Sequence, residues 1–228
     1  MLSTYKTILS QKTKLTFDVY LYHFDLIEPK EINFKAGQYL MIKIPTNKGP
    51  VSRLYSIASS AAKKNSFELI IQIIPGGLAS NYLSNLKVKD EIVFQGPAGM
   101  FCLRKNKRPK IFLATGTGIA PVKSILVSYQ LPVSGYSLFW GLKTYKDIDL
   151  FDELKMFNLK ICLSREQNLD MISEVDKKFF ELGHVNSYSP LLTTADYYLC
   201  GGRQIVESLR LFLINKGVLQ ENIMFEKF

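Results

Sequence analysis

The 228-residue chain has little sulfur or imidazole chemistry to offer. Its three cysteines, Cys102, Cys162 and Cys200, lie far apart and form no CxxC. That excludes a disulfide framework and an iron–sulfur cluster held by cysteine alone, which needs four thiolates. Its two histidines, His23 and His184, have no clustered ligands beside them, so no metal site is expected. No apolar run approaches the roughly 18 residues of a membrane-spanning helix. Internal repeats, low-complexity tracts and the GxGxxG fingerprint are also missing. Redox chemistry in such a chain has to come from an organic cofactor.

Acidic residues are scarce in one half. Residues 1–108 hold 16 Lys+Arg against 7 Asp+Glu, whereas residues 109–228 hold 13 of each. The basic half is either a solvated surface or a docking face for something acidic. Nucleic acid is the weaker partner, because the lysines are scattered among strand-like segments instead of forming a stripe with stacking aromatics. The opening MLSTYKTILSQKTKL is basic and rich in hydroxyls, as a transit peptide is, but it lacks arginine and runs straight into the alternating LTFDVYLYHF. It reads as an ordinary first strand, and a cytoplasmic location follows by default.

The hydrophobic rhythm divides the chain in two. Up to residue 103, LTFDVYLYHFDL, QYLMIKIP, RLYSIAS, FELIIQII and EIVFQGP alternate with period two between turn signals, and one short helix, GGLASNYLSNL, interrupts them. That pattern predicts an antiparallel β-barrel. After a basic linker at 104–108, apolar strands IFLAT, SLFWG, KICLS, YYLCG and IMFEK alternate with helical segments APVKSILVSYQL, DLFDELKMF, DKKFFEL and RQIVESLRLFLINKG. Repeated βα units over 109–228 predict a parallel sheet with covering helices. In the last helix Ile205, Val206, Leu209, Phe212 and Leu213 share a face, and Gly217 marks its stop.

Certain strand ends carry the chemistry. In LATGTGIAP (113–121) a strand ends at Thr115, Gly116 and Gly118 bracket Thr117, and Pro121 suits a first helical turn. Glycines there let backbone approach a ligand, and a helix N-terminus offers unpaired N–H groups to phosphate. The other strand ends are WGLK (140–143), SREQ (164–167), whose Arg165 suits a phosphate, and CGG (200–202). Together they describe a nucleotide cleft at the carboxyl edge of a parallel sheet. In the first half GGLAS (76–80) reads as a second anion cradle, and RLYS (53–56) sets Arg53, Tyr55 and Ser56 toward one bound molecule.

RLYS, GGLAS, GPAG, GTGIAP, SREQ, CGG and the final FEKF occur in an order that resembles the ferredoxin–NADP⁺ reductase family of FAD flavoproteins, across essentially the whole chain. The resemblance implies an FAD-binding barrel at 1–103 and an NAD(P)-binding α/β domain at 109–228. It implies that Arg53 meets the FAD pyrophosphate, that Tyr55 packs on the isoalloxazine with Leu54 beside it, and that Ser56 lies near flavin N5. Gly77, Ala79 and Ser80 contact the FAD phosphates on the same ground. Thr115, Gly116, Thr117, Gly118 and Pro121 receive the NAD(P) pyrophosphate. Ser164 and Arg165 meet the 2′-phosphate, with Arg203 as a candidate second cation, which favours NADPH over NADH. Cys200 and Gly201 lie near the nicotinamide, and Glu226 precedes a terminal ring, Phe228, stacked over the flavin. A bland alternative is that Phe228 only plugs the core.

The function expected from this resemblance is electron transfer from NAD(P)H through FAD to a separate acidic carrier such as ferredoxin or flavodoxin. Relatives that continue past this point carry an iron–sulfur domain, so this chain reads as a stand-alone member. Two other readings are a flavin reductase that releases free reduced flavin and a non-catalytic flavin-holding subunit. Tyr55 counts against the first and the intact nucleotide cleft against the second.

Overall fold

The structure, a computed structural model, describes residues 2–130 and 135–228. It contains two compact units: Met1–Leu103 together with Lys123–Tyr129, and Arg104–Val122 together with Gln130–Phe228.

Six strands build the first unit: β1 (Ser3–Lys14), β2 (Val19–Glu28), β3 (Tyr39–Ile44), β4 (Val51–Ser56), β5 (Ser66–Gln72) and β6 (Glu91–Ala98). They form an antiparallel sheet in the order β4-β3-β6-β1-β2-β5. The opening residues are thus strand, paired on both sides. The sheet curls until its two outer strands approach, at an antiparallel bridge between Ile57 and Leu69. Period-two alternation sends Tyr5, Thr7 and Leu9 of β1 and Tyr22, Phe24 and Leu26 of β2 inward. Phe94 meets Phe24 and Phe67 edge-on, at 4.9 and 5.1 Å between ring centres. Burying each such ring contributes about 1.5–3 kcal/mol. Helix α1 (Leu78–Asn85) follows β5.

The second unit is a parallel six-stranded sheet, β10-β9-β8-β7-β11-β12. Its elements are β7 (Lys110–Thr115), α2 (Ile119–Tyr129), β8 (Tyr136–Leu142), α3 (Phe151–Leu154), β9 (Leu159–Leu163), β10 (Phe180–Leu182), α4 (Val185–Tyr188), β11 (Asp196–Gly201), α5 (Arg203–Asn215) and β12 (Ile223–Lys227). Lys123–Tyr129 of α2 count with the first unit, where Lys123 pairs with Glu68 at 3.1 Å and Ser124 donates to the Ser59 carbonyl at 2.7 Å. On α5, Val206, Leu209 and Leu213 are buried as the pattern requires, but Ile205 is exposed.

Two helical expectations fail. DLFDELKMF forms a single turn, because Leu150 takes a left-handed φ of 49° at its start and the chain must reach β9 by Leu159. DKKFFEL forms a 3-10 turn and then strand β10, where Phe180 is buried and pairs with Ile161. An apolar pair beside an unpaired sheet edge gains more from the ladder than from one helical turn. Leu131, the last residue of the expected APVKSILVSYQL helix, lies outside the described residues.

The basic segment 104–108 is folded chain. Asp196, with no exposed surface, takes Lys110 at 2.9 Å, Arg108 at 3.2 Å and the Asn106 amide at 2.8 Å. Burial alone would raise its pKa; hydrogen bonds from Lys110 and Asn106 and the charges of Lys110 and Arg108 outweigh it and hold the carboxyl below its usual range.

Candidate cofactor sites

In the second unit the chain leaves β7 toward β8 on one side and returns to β11 on the other. The carboxyl ends of β7 and β11 are therefore the switch point of the sheet, where open α/β folds bind ligands. Thr115, Gly116, Thr117 and Gly118 leave β7 there, and Cys200 and Gly201 end β11 beside them. The approach is so close that a Cβ on Gly118 would stand 2.2 Å from the Cys200 carbonyl oxygen. A Cβ on Gly201, at φ +150°, would stand 2.0 Å from Thr115 Oγ1. Pro121 is buried in the first turns of α2. Trp140, unnoticed in the sequence except as the start of WGLK, donates its indole N–H to the Gly116 carbonyl at 3.0 Å and steadies the loop from β8.

Among the described residues Thr115 Oγ1 is buried with no hydrogen-bond partner. A buried hydroxyl without a partner costs about 1–3 kcal/mol, so this atom suits a polar ligand. Cys200 is 1% exposed. Burial first, then Glu226, push its thiol well above the ordinary value, against a bond from the Gly201 backbone. It is a small neutral group and no thiolate nucleophile. Glu226 lies opposite Cys200 in the β11–β12 ladder. The Phe228 N–H donates to the Gly201 carbonyl at 3.2 Å, and the Phe228 carbonyl accepts from Arg203 N–H at 3.1 Å. Phe228 is 59% exposed, so it does not plug the core. Ser164 and Arg165 sit two strands from β7, past the end of β9; the Ser164 hydroxyl donates to the Leu142 carbonyl and the Arg165 side chain is exposed.

In the first unit, β4 carries Arg53 and Leu54 exposed and Tyr55 and Ser56 half-buried. Among the described residues the Arg53 guanidinium donates to the neighbouring Ser52 carbonyl at 2.9 Å and forms no salt bridge. An uncommitted surface guanidinium suits a phosphate. Tyr55 packs partly on the barrel core, and so does Ala79. Burial raises the Tyr55 phenol, against the nearby Arg53 charge. Gly77 is the N-cap of α1, whose start has no side-chain cap and no acidic residue in its first turn, which leaves its N–H groups to an anion. Ser80 is buried and its hydroxyl accepts from Ile74 N–H at 2.9 Å, so it shapes the loop that leads into α1. These features fit FAD phosphates at Arg53 and α1, and a dinucleotide at the β7–β11 edge.

Residues 6–102 match the oxidoreductase FAD-binding domain and residues 112–210 the oxidoreductase NAD-binding domain. The two matches together span most of the chain, which belongs to the oxidoreductases built from these FAD-binding and NAD-binding domains. The FAD-binding domain precedes the NAD-binding domain in the chain. The toluate 1,2-dioxygenase electron transfer component of Pseudomonas putida is 31% identical over 205 residues, 87% of this chain and 60% of that protein. Ferredoxin–NADP reductase B of Sorangium cellulosum is 33% identical over 136 residues, 58% of this chain and 55% of that protein. A ferredoxin NADP⁺ reductase from Neisseria gonorrhoeae, solved with bound FAD and NADP, shares the fold at a TM-score of 0.79 and 18% identity, covering 99% of this chain and 98% of that one. The chain spans about 60% of the length of the curated relatives it matches. Among the described residues no helix is long and apolar enough to cross a membrane.

One ionisable group of the second unit escaped the sequence reading. Asp149, after β8, is 9% exposed, and its Oδ1 has no partner among the described residues. Burial, helped by Asp147, pushes its pKa up to about 7. A carboxyl that holds its proton longer when folded lowers stability as pH rises from its unfolded value, near 4, through 7. Asp149→Asn should therefore leave thermal unfolding near pH 4 unchanged and raise the midpoint at pH 8. A relief of about 1–3 kcal/mol is expected for a buried unsatisfied group, worth about 2–4 °C per kcal/mol at this size. A midpoint difference that does not vary with pH would refute the assignment.

Proposed function

We propose that the chain is an FAD-dependent NAD(P)H oxidoreductase that passes electrons to a separate carrier such as ferredoxin or flavodoxin. The observation that carries this reading is the convergence of the GTG loop, the CGG end and the unpartnered Thr115 hydroxyl, in a chain whose first unit offers the uncommitted Arg53. Similarity to the toluate 1,2-dioxygenase electron transfer component of Pseudomonas putida supports it. Bound FAD would supply the exchange between hydride and single electrons. Arg53 and the start of α1 would hold its diphosphate, Tyr55 would pack against its ring, and Ser56 would offer it a hydrogen bond. Thr115 and the Gly116–Gly118 backbone would hold the nicotinamide dinucleotide. Cys200, neutral and small, and Gly201 leave room for its ring, and Glu226 and Phe228 border the same place.

Anaerobic addition of NADPH to the purified, flavin-loaded protein should bleach the flavin bands within seconds. A flavin that stays oxidised would end the reading. Arg165 favours NADPH as donor through its 2′-phosphate. Arg165→Ala should weaken NADPH about tenfold or more and leave NADH nearly untouched, since one charge-assisted contact is worth about 1.5–3 kcal/mol; equal losses would reassign the donor.

The basic half, residues 1–108, is the proposed docking face for an acidic carrier. Carrier reduction should slow steeply as salt rises, because exposed charges lose influence beyond about 8–10 Å at ordinary ionic strength. Reduction of a neutral quinone should respond far less. Indifference of the carrier rate to salt would leave the basic half a solvated surface and favour the release of free reduced flavin.

A further inference from the structure

Helix α1 has eight residues, too few to be stable by itself in water. It also lacks the usual devices at its C-terminal end. No basic residue stands in its last turn, and its C-cap is Leu86 in an extended conformation, where many helices place a glycine. Its last carbonyls are satisfied from elsewhere in the chain. The Lys12 ammonium, from the far end of β1, donates to Ser84 at 2.6 Å, Leu86 at 3.2 Å and Leu83 at 3.3 Å. The Tyr22 hydroxyl adds a buried bond to the Leu83 carbonyl at 3.0 Å. The half-buried lysine stem is itself held, with the ammonium 5.4 Å from the centre of the Tyr22 ring and 5.6 Å from that of Tyr20. One cation therefore uses all three of its donors on one helix end.

We infer that Lys12 is a positioning residue for the FAD diphosphate: by clamping the C-terminal carbonyls of α1, it fixes the direction in which the N–H groups at the other end of the helix point. This rests on the flavin reading of the first unit. A positive charge at a helix C-terminus complements the macrodipole, and a ladder held at its last turn cannot fray or swing. Without that clamp the uncapped start at Gly77 would wander, and N–H groups that must converge on phosphate oxygens lose their geometry before the barrel loses its fold. Lys12 acts through the helix, with its donors engaged by the carbonyls of Leu83, Ser84 and Leu86.

The test uses the full chain stripped of flavin. FAD binding is followed by flavin fluorescence in wild type, Lys12→Met, Lys12→Arg and, as a control from the same strand, Lys6→Met. Lys6 is largely exposed and, among the described residues, pairs only with Glu28, at 3.5 Å. Lys12→Met keeps the stem over the tyrosines and should bind FAD about tenfold or more weakly, with faster amide exchange confined to residues 78–86. Lys12→Arg, which restores charge and several donors, should recover most of the affinity, and Lys6→Met should bind as wild type does. If Lys12→Met does not fold, Lys12→Gln, with an amide in place of the ammonium, carries the same comparison. Wild-type FAD affinity in Lys12→Met, or a loss shared equally by Lys6→Met, would overturn the inference. A wild-type protein that takes up no FAD would instead sink the flavin reading on which it rests.

Discussion

A Gly118→Ala protein should keep its flavin and lose its nicotinamide dinucleotide. The added Cβ would stand 2.2 Å from the Cys200 carbonyl oxygen, 2.5 Å from its carbon and 2.8 Å from the Gly201 nitrogen. All three are backbone atoms at the end of a central strand, so no side-chain rotation relieves the clash. The loop after β7 must lift away from β11, at a strain of about 1–3 kcal/mol or more. The N–H groups meant for phosphate move with it. Affinity for NADP⁺ should fall about tenfold or more, read as the change in the flavin spectrum on titration, while bound FAD stays near wild type because its motifs belong to the other unit. Gly202→Ala is the control. Its Cβ would meet nothing within 4 Å and its φ is an ordinary −61°, so it should be almost silent. Normal NADP⁺ binding by Gly118→Ala would take this loop out of the cradle.

Arg53→Ala has the opposite signature: a folded protein purified with little flavin. The guanidinium is exposed on an edge strand, and among the described residues it has no salt bridge to lose. Removing it should therefore leave thermal unfolding of the flavin-free protein within about 0.5 kcal/mol of wild type, as for surface substitutions generally. A charge-assisted contact with phosphate is worth about 1.5–3 kcal/mol, so FAD should bind about ten- to a hundred-fold more weakly. The expected result is low flavin absorbance per polypeptide, restored by excess FAD. Full occupancy in Arg53→Ala would return the RLYS run to an ordinary edge strand.

Where sequence reading failed, the cause was competition between local and distant partners. DKKFFEL has a helix-like composition, but beside the open edge of β9 its backbone gains a ladder, and β10 results. DLFDELKMF was cut to one turn by the need to enter β9. Trp140 and Asp149 carry no local signal of their roles. The first matters only because β8 lies beside β7, which brings the indole to Gly116. The second matters because its carboxyl is buried with the Asp147 charge nearby. Lys12 looked like one more lysine in a basic opening, and the carbonyls it meets are more than seventy residues away.

The residues by themselves determined the two periods, the barrel followed by the parallel sheet, and the ordered strand-end motifs. These depend on alternation, on glycine and proline at turns and on the chemistry of a phosphate-seeking arginine, all written within a few consecutive positions. Tertiary structure alone decided which strand ends meet. Strand order set the GTG loop against CGG across β7 and β11, closed the barrel at Ile57 and Leu69, and delivered a lysine from β1 to the end of α1. Contacts of that kind depend on strand order and register, which couple residues across the whole chain, and no short window of sequence contains them.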